Sequence, residues 1–244
     1  MIVANLATYP PRRENLAPVI DAIAPQVDRL NIVFNQYETL PEEATRAANI
    51  NPIIPTEDTK DVGKFYPEVA DEDLVFLIDD DMIYPDTYVD FVRDAVAPYA
   101  GKGFVAGFHG SLYKRARLKT LFRPFVERRK VYFFKSRLRE AIVVDQVATN
   151  AAVLPGSAMP PYAYMRDSQK FVDVRLAKWS HEHGHPHICL AREDHFLDDI
   201  LFDETIYADF TLKNHAHVTR EVKTYAFRTP GRGKPAALLM GGGR

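Results

Sequence analysis

The chain is expected to form an α/β fold, a mostly parallel sheet flanked by helices, and three observations carry that expectation. Short apolar runs recur through the first 110 residues, separated by segments of helical spacing or polar composition. One run, Leu74-Val75-Phe76-Leu77-Ile78, is apolar at every position, so both faces of that strand must be buried, as in parallel sheets. Strands and helices alternating in this rhythm build crossover units rather than hairpins.

Ile2–Ala7 is an apolar run closed by Pro10-Pro11 and reads as the first strand. From Asn15 on, Leu16, Val19, Ile20, Ile23 and Val27 recur at helical spacing, with Pro18 expected in the first turn, where its missing N–H costs nothing. Leu30–Phe34 reads as a second strand, Pro41–Ala48 as a short helix and Asn51–Ile54 as a third strand. The polar segment Thr56–Gly63 precedes the fourth. Pro85 occupies a favoured helix start, continued by Tyr88, Val89, Phe91, Val92 and Val96, and Gly103–Phe108 follows as a strand. Beyond it, Ala141–Leu154 has strand character, Asp167–His183 helical character, His187–Leu190 is a short strand and Phe196–Phe202 a short helix. A single domain is expected over residues 1–228, with a glycine-rich flexible tail over 229–244.

Bulk composition narrows the function classes. Apolar content of 46% and charged content of 26% are those of an ordinary globular protein, and a net charge of −2 gives no global attraction to nucleic acid or membrane. The lone Cys189 excludes an internal disulfide framework and fits a reducing compartment. Met1 to Thr8 has no basic leader region, and no run approaches ~20 apolar residues. A cytoplasmic setting is expected.

The chemistry-bearing feature is Asp79-Asp80-Asp81, directly after the apolar run. Three adjacent carboxylates cannot all ionise unless a cation or a network of donors offsets their repulsion. The carboxyl end of a strand in an open α/β sheet is also where ligands bind. Asp79 and Asp81 alternate along an extended chain, so a turn beginning at Asp80 is needed for Asp81 to reach a metal while Asp79 or Asp80 accepts hydrogen bonds. Mg²⁺ or Mn²⁺ suits such oxygen ligands and keeps positions open for substrate phosphate. The plain alternative is a strand end whose carboxylates cap the following turn.

Phe76-Leu77-Ile78-Asp79-Asp80-Asp81 followed by Pro85 resembles the D-x-D region of GT-A-fold nucleotide-sugar glycosyltransferases, family 2 in particular. The opening strand with Thr8-Tyr9-Pro10-Pro11-Arg12 is similar to that family's first nucleotide-binding turn. The resemblance runs in order over most of residues 1–110 and more loosely to about residue 220. It implies a GT-A-like, Rossmann-type sheet, with a nucleotide-binding half over 1–110 and an acceptor-binding half over 111–228. It further implies transfer of a sugar, with inversion, from a nucleoside-diphosphate donor to a hydroxyl acceptor, such as a carbohydrate or a lipid-linked glycan. Thr8, Pro10 and Arg12 would line the nucleotide pocket, with Arg12 on the diphosphate. Asp61, Gly63 and Lys64 fall where the family has a loop over base and ribose, and Asp79 and Asp80 where it fixes ribose and sugar. Asp81 would hold Mn²⁺ or Mg²⁺ with a late histidine, His215 in preference to His217. Asp173 matches the acceptor base, with Asp167 the next candidate. The family often has adjacent acids there, whereas this chain has Val172-Asp173.

Two further features invite other functions. His181, His183, His185 and His187 alternate as zinc ligands in a strand would, but Gly184 and Pro186 break the register, and a helix end accounts for the first two. Between Lys114 and Arg139 stand eleven Lys or Arg and one acid, Glu127, interleaved with Phe122, Phe125, Tyr132, Phe133 and Phe134. That mixture suits single-stranded nucleic acid, a carbohydrate or anionic acceptor, peripheral contact with an anionic membrane, or simply a solvated helix with apolar anchors. Nucleic acid is the partner least expected. A sugar-phosphate nucleotidyltransferase would use a similar sheet, but Ala7-Thr8-Tyr9-Pro10-Pro11 lacks the glycines its phosphate loop needs. A non-enzymatic binding protein acting through 114–139 is the other alternative.

Overall fold

The computed structural model describes residues 1–118, 122–200 and 216–239. Strand β1 (Ile2–Thr8) passes through a 3-10 turn (Pro10–Arg12) into helix α1 (Arg13–Ile23), and β2 (Arg29–Phe34), β3 (Ile50–Ile53) and β4 (Leu74–Ile78) follow. Then come the two-residue β5 (Met82–Ile83), α2 (Tyr88–Val96), β6 (Val105–Gly107), β7 (Gly110–Tyr113), β8 (Arg129–Tyr132), β9 (Ile142–Val144), β10 (Gln146–Val147) and β11 (Ala151–Pro155). Helices α3 (Tyr162–Met165) and α4 (Val172–Glu182), strands β12 (His187–Cys189) and β13 (Asp198–Asp199) and helix α5 (Ala216–Tyr225) complete the described chain.

Eight strands form the main sheet in the order β3-β2-β1-β4-β11-β6-β12-β9. β3, β2, β1 and β4 are mutually parallel, β6 and β12 pair in parallel, and only β11 and β9 run against their neighbours. The α/β class expected from the sequence, a mostly parallel sheet flanked by helices, is the class that forms. From β1 the chain steps outward through β2 and β3, then returns to place β4 on the other side of β1. The carboxyl ends of β1 and β4 therefore flank the point where strand order reverses, which is where open α/β sheets bind their ligands.

Burial explains why β4 has no polar alternation. Phe76 and Ile78 enter one core cluster with α1 and α2, while Val75 and Leu77 enter a second with Met165 of α3 and Val172 and Leu176 of α4. These four strand residues are 0% exposed, and each contributes about 1.5–3 kcal/mol, which offsets the ordering entropy of its residue. The burial of both faces leaves β4 only its end at which to carry charge.

Several expectations are corrected. Helix α1 starts at Arg13, straight from the 3-10 turn, so Pro18 lies in its second turn rather than its first and removes a hydrogen bond to Glu14 on an exposed face. Pro41–Ala48 yields only a 3-10 turn over Glu42–Thr45. Pro85 stands one turn ahead of α2, its carbonyl accepting from Tyr88 N at 2.9 Å. The segment 114–139 is no helix over its described part: β7 and β8 pair as an antiparallel hairpin, and β7 also pairs with β10. Pro124 and the strand-favouring Val131-Tyr132 outweigh an apolar spacing that never fitted one helical face. Phe196–Ile200 is not helical: Phe196 and Leu197 form a bend and Asp198–Asp199 pairs with β5 at the end of β4; residues 201 and 202 lie outside the described residues. The expected tail packs over residues 231–239. Val143 N donates to the Lys234 carbonyl at 3.0 Å, Gly233 N to Val143 and Ala236 N to Ala141 at 2.7 Å each. Gly231 and Gly233, at φ +72° and +76°, serve this turn in a left-handed conformation that other residues resist.

His187 illustrates the cost of the buried sheet. It is 3% exposed on β12, its Nδ1 accepts from Val147 N at 2.9 Å, and burial pushes its pKa down to about 3. The unfolded chain binds a proton near pH ~6.5 that the native chain refuses, so this stability is complete above that pH and is lost as pH falls toward 3. Urea titrations are expected to show the gap between wild type and His187→Gln narrowing by up to ~1.4 kcal/mol per pH unit below ~6.5. A gap constant from pH 7 to pH 5 would contradict this assignment.

Candidate active site at the ends of the first and fourth strands

The chain turns at Asp80–Asp81, so the three aspartates separate. Asp80 is turned inward: Thr8 Oγ1, at the end of β1, donates to its Oδ2 at 2.8 Å, and Arg12 Nη1 donates to its Oδ1 at 2.7 Å. The same Arg12 nitrogen donates to Asp81 Oδ2 at 2.8 Å. Asp79 forms a short ion pair with Lys64. The network of donors demanded by three adjacent carboxylates thus comes from β1 and from the 3-10 turn over Lys60–Phe65.

Lys64 links this corner to the base candidate. Its side chain is nearly inaccessible, and Nζ also donates to the carbonyl and Oγ1 of Thr149, at 3.1 Å each. Thr149 in turn donates to Asp173 Oδ1 through its backbone N at 2.8 Å and its hydroxyl at 2.9 Å. Asp173 occupies the first turn of α4, where the helix dipole favours a carboxylate. Helix α4 is stopped by Gly184 at φ +74°, with His185 N donating to Ser180 O at 2.8 Å, and Arg175 Nη2 ties it to Glu221 of α5 at 2.7 Å. Thr149 and Tyr84 were invisible as site residues in the sequence. Tyr84 accepts from Asp79 N at 2.9 Å and donates to the Asn150 carbonyl at 2.8 Å, fixing the turn from behind.

The other predicted residues are placed as follows. Pro10 is exposed and opens the 3-10 turn that delivers Arg12. Gly63 serves packing against the sheet: a Cβ there would meet Thr59 Oγ1 at 2.6 Å and Ala7 Cβ at 2.9 Å. Asp61 lies on the Asp173 side, its two oxygens accepting from Lys170 N at 2.9 Å. Asp167 is 78% exposed in a turn beside Arg166 and joins none of this network, so it is set aside as a base. His215 lies outside the described residues. His217 belongs to the first turn of α5, so strand alternation does not apply to it, and its ring meets Phe171 edge-on at 5.2 Å. The other histidines disperse: His183 stacks on Trp179 at 3.8 Å, and His187 is committed to Val147.

Electrostatically the corner is acidic. Among the described residues five carboxylates, Asp61, Asp79, Asp80, Asp81 and Asp173, share two cations, Arg12 and Lys64. Burial, reinforced by Asp79, pushes Asp81 up to about 6, and burial pushes Asp61 up to about 6 as well. Burial also raises Asp80 against the pull of Arg12, and raises Asp173 against its bonds from Thr149 and the charge of Lys64. For Lys64, burial works against the charge, but Asp79 outweighs it and holds the ammonium above its ordinary range.

Among the described residues no donor reaches Asp79 Oδ2, Asp81 Oδ1 or Asp173 Oδ2. No group of three or more acidic, histidine or cysteine ligands forms among them either. Mg²⁺ and Mn²⁺ commonly rest on one or two carboxylates and take their remaining oxygens from substrate phosphate and water. The oxygens left open at Asp79 and Asp81, in a corner short of positive charge, fit such an ion.

Lys64 is the test of this network. Lys64→Met keeps the volume but leaves Asp79 and Thr149 without their donor, and should cost about 1–3 kcal/mol in urea unfolding. Adding Asp79→Asn should recover part of that loss, giving a non-zero coupling energy in the double-mutant cycle. Strict additivity would show that the pair does not interact.

No protein-family model matches the chain, and no curated protein matches it. Solved structures that align with it include a mycobacterial protein, 16% identical over 77% of this chain and 65% of that one, with a TM-score of 0.44. Another is S. aureus TarS 1-349, 11% identical over 94% of this chain and 66% of that one, with a TM-score of 0.49. The chain thus spans slightly under two thirds of the length of either structure. Neither alignment bears on what the chain does.

Proposed function

We propose that the chain is a metal-dependent glycosyltransferase that moves a sugar from a nucleoside-diphosphate donor to a hydroxyl acceptor. The observation that carries this reading is convergence: Thr8 and Arg12 from the end of β1, Asp79 to Asp81 from the end of β4, Lys64, and Asp173 from α4 meet at the strand-order reversal. The D-x-D resemblance supplies the reaction class.

In this reading Asp81, with Asp79 beside it, would hold Mn²⁺ or Mg²⁺ through the oxygens that no donor among the described residues uses. The bound ion would offset the charge that develops on the departing diphosphate. Arg12, anchored by two carboxylates, supplies a fixed cation at the same mouth, suited to phosphate oxygens. Asp80, buried and doubly bonded, positions Arg12 and Thr8. Asp173 Oδ2 would take the acceptor's proton, while Thr149 holds Oδ1 and so fixes the direction of the other oxygen. Burial raises Asp173 toward the range a general base needs, against its bonds from Thr149 and the charge of Lys64. Inversion follows from a base facing the donor on the side opposite the leaving group, and rests on the resemblance.

A thermal-shift panel of nucleoside diphosphates with and without Mn²⁺ tests the donor half. A ligand at 100 times its Kd should add ~2.7 kcal/mol of stability. Asp81→Ala is expected to abolish the metal-dependent part and leave the fold intact. Asp173→Asn should lower kcat by ~10²–10⁴ with donor binding retained. Release of free nucleoside diphosphate is the expected product; pyrophosphate instead would assign the site to nucleotidyl transfer. No metal-dependent shift with any member of the panel would remove the reading.

A further inference from the structure

We propose that the β7–β8 hairpin docks the protein on an anionic lipid surface, with Leu118 and Phe122 entering the acyl region and the surrounding cations meeting the headgroups. These two side chains, 93% and 97% exposed, are the barest large apolar groups among the described residues. Both belong to one connection, between β7 and β8, and stand four positions apart in the sequence rather than scattered over the surface.

Charge is sorted along the hairpin. At its base, Lys135 pairs with Asp198 and Asp199, and Arg137 with Glu193 at 2.9 Å. Toward the tip the pattern changes. No carboxylate among the described residues lies within ion-pair distance of Lys114, Arg115, Arg123, Arg128, Arg129 or Lys130. A protein with net charge −2 has therefore gathered, in the same connection as two exposed apolar residues, cations that no described carboxylate pairs with. This pairing of exposed apolar residues and cations matches the interface of a bilayer carrying negative headgroups, each cation adding to attraction within a Debye length.

The aromatic rings distinguish lipid from nucleic acid. Single strands need bare ring faces on which bases stack. Here Phe125 is stacked on Tyr113 at 5.7 Å and 4° and covered by Arg128 at 5.3 Å, while Phe227 is covered by Arg115 at 5.3 Å. The barest groups are a single ring, Phe122, which offers no run of faces for successive bases, and an aliphatic residue, Leu118, which suits acyl chains and stacks on nothing. The inference uses neither donor nor metal and stands apart from the transferase reading.

Co-sedimentation of the full chain with phosphatidylcholine vesicles, and with phosphatidylcholine–phosphatidylglycerol vesicles, tests it. Binding is expected only to the anionic vesicles, weakening as salt rises. Leu118→Ser with Phe122→Ser should lower the partition at least ~10-fold, and Arg123→Ala alone about fivefold. Both variants should keep the wild-type Tm. Phe122→Trp should show blue-shifted emission on adding anionic vesicles, above the background of Trp179. Equal binding to both vesicle types, no binding, binding unchanged in the double variant, or preference for a single-stranded homopolymer over vesicles overturns the proposal.

Discussion

The buried ammonium of Lys64 is the group on which this architecture turns. It compensates Asp79 on one side and reaches Thr149, and through it Asp173, on the other. Its backbone is held too: the Lys64 carbonyl accepts from Asn5 at 2.9 Å, Asn5 accepts from Asn31 at 2.7 Å, and Asn31 from Asn51 at 2.8 Å. This ladder crosses β3, β2 and β1 and ends on the residue before Phe65. Gly63 next to it has no room for a side chain, so the turn lies flat on the sheet and Lys64 can reach past the end of β1. A longer approach would leave the ammonium short of the carboxylates and buried without partners, which costs several kcal/mol.

Much of the first half was legible because its signals are local. A run of five apolar residues admits little but a doubly buried strand, and adjacency alone announced the acidic corner. Arg12 was singled out through the resemblance of Thr8-Tyr9-Pro10-Pro11-Arg12, and its guanidinium does lie against Asp80 and Asp81. Where local pattern and tertiary pairing compete, the sequence misleads. Phe196 and Leu197 have the spacing of a short helix, yet the nearby edge of β5 captures Asp198–Asp199 as a strand. The glycines after residue 230 look like the composition of a tail, but Asp145, its side chain fully buried at the bend between β9 and β10, needs a cation and draws in Arg232 at 2.7 Å.

Thr149 was illegible for a different reason. Nothing in Ala148-Thr149-Asn150 marks a site. Its position follows from register: β11 runs antiparallel to β4 with Ala151 opposite Ile78. Residues just ahead of β11 therefore lie just beyond the end of β4, beside Asp79. The same register brings the Asn150 carbonyl to Tyr84, which holds the backbone of Asp79. An antiparallel strand inserted into a parallel sheet starts where its neighbour stops, and so adds residues at the ligand-binding end that a parallel strand would place at the opposite edge.

That insertion also explains why the base candidate comes from so far along the chain. Asp173 is 92 residues beyond Asp81, on a helix that packs against the opposite face of the sheet from α1. Its first turn reaches the corner because Val172 and Leu176 bury into the cluster shared with Val75 and Leu77, which sets the height of α4 along β4. Arg175 then fixes the rotation by pairing with Glu221, leaving Asp173 turned toward Thr149. Packing thus determines where the carboxylate stands, and hydrogen bonds determine which oxygen remains open. A corner built this way has its geometry set before any ligand arrives, while its surplus of negative charge is left for a ligand or ion to neutralise.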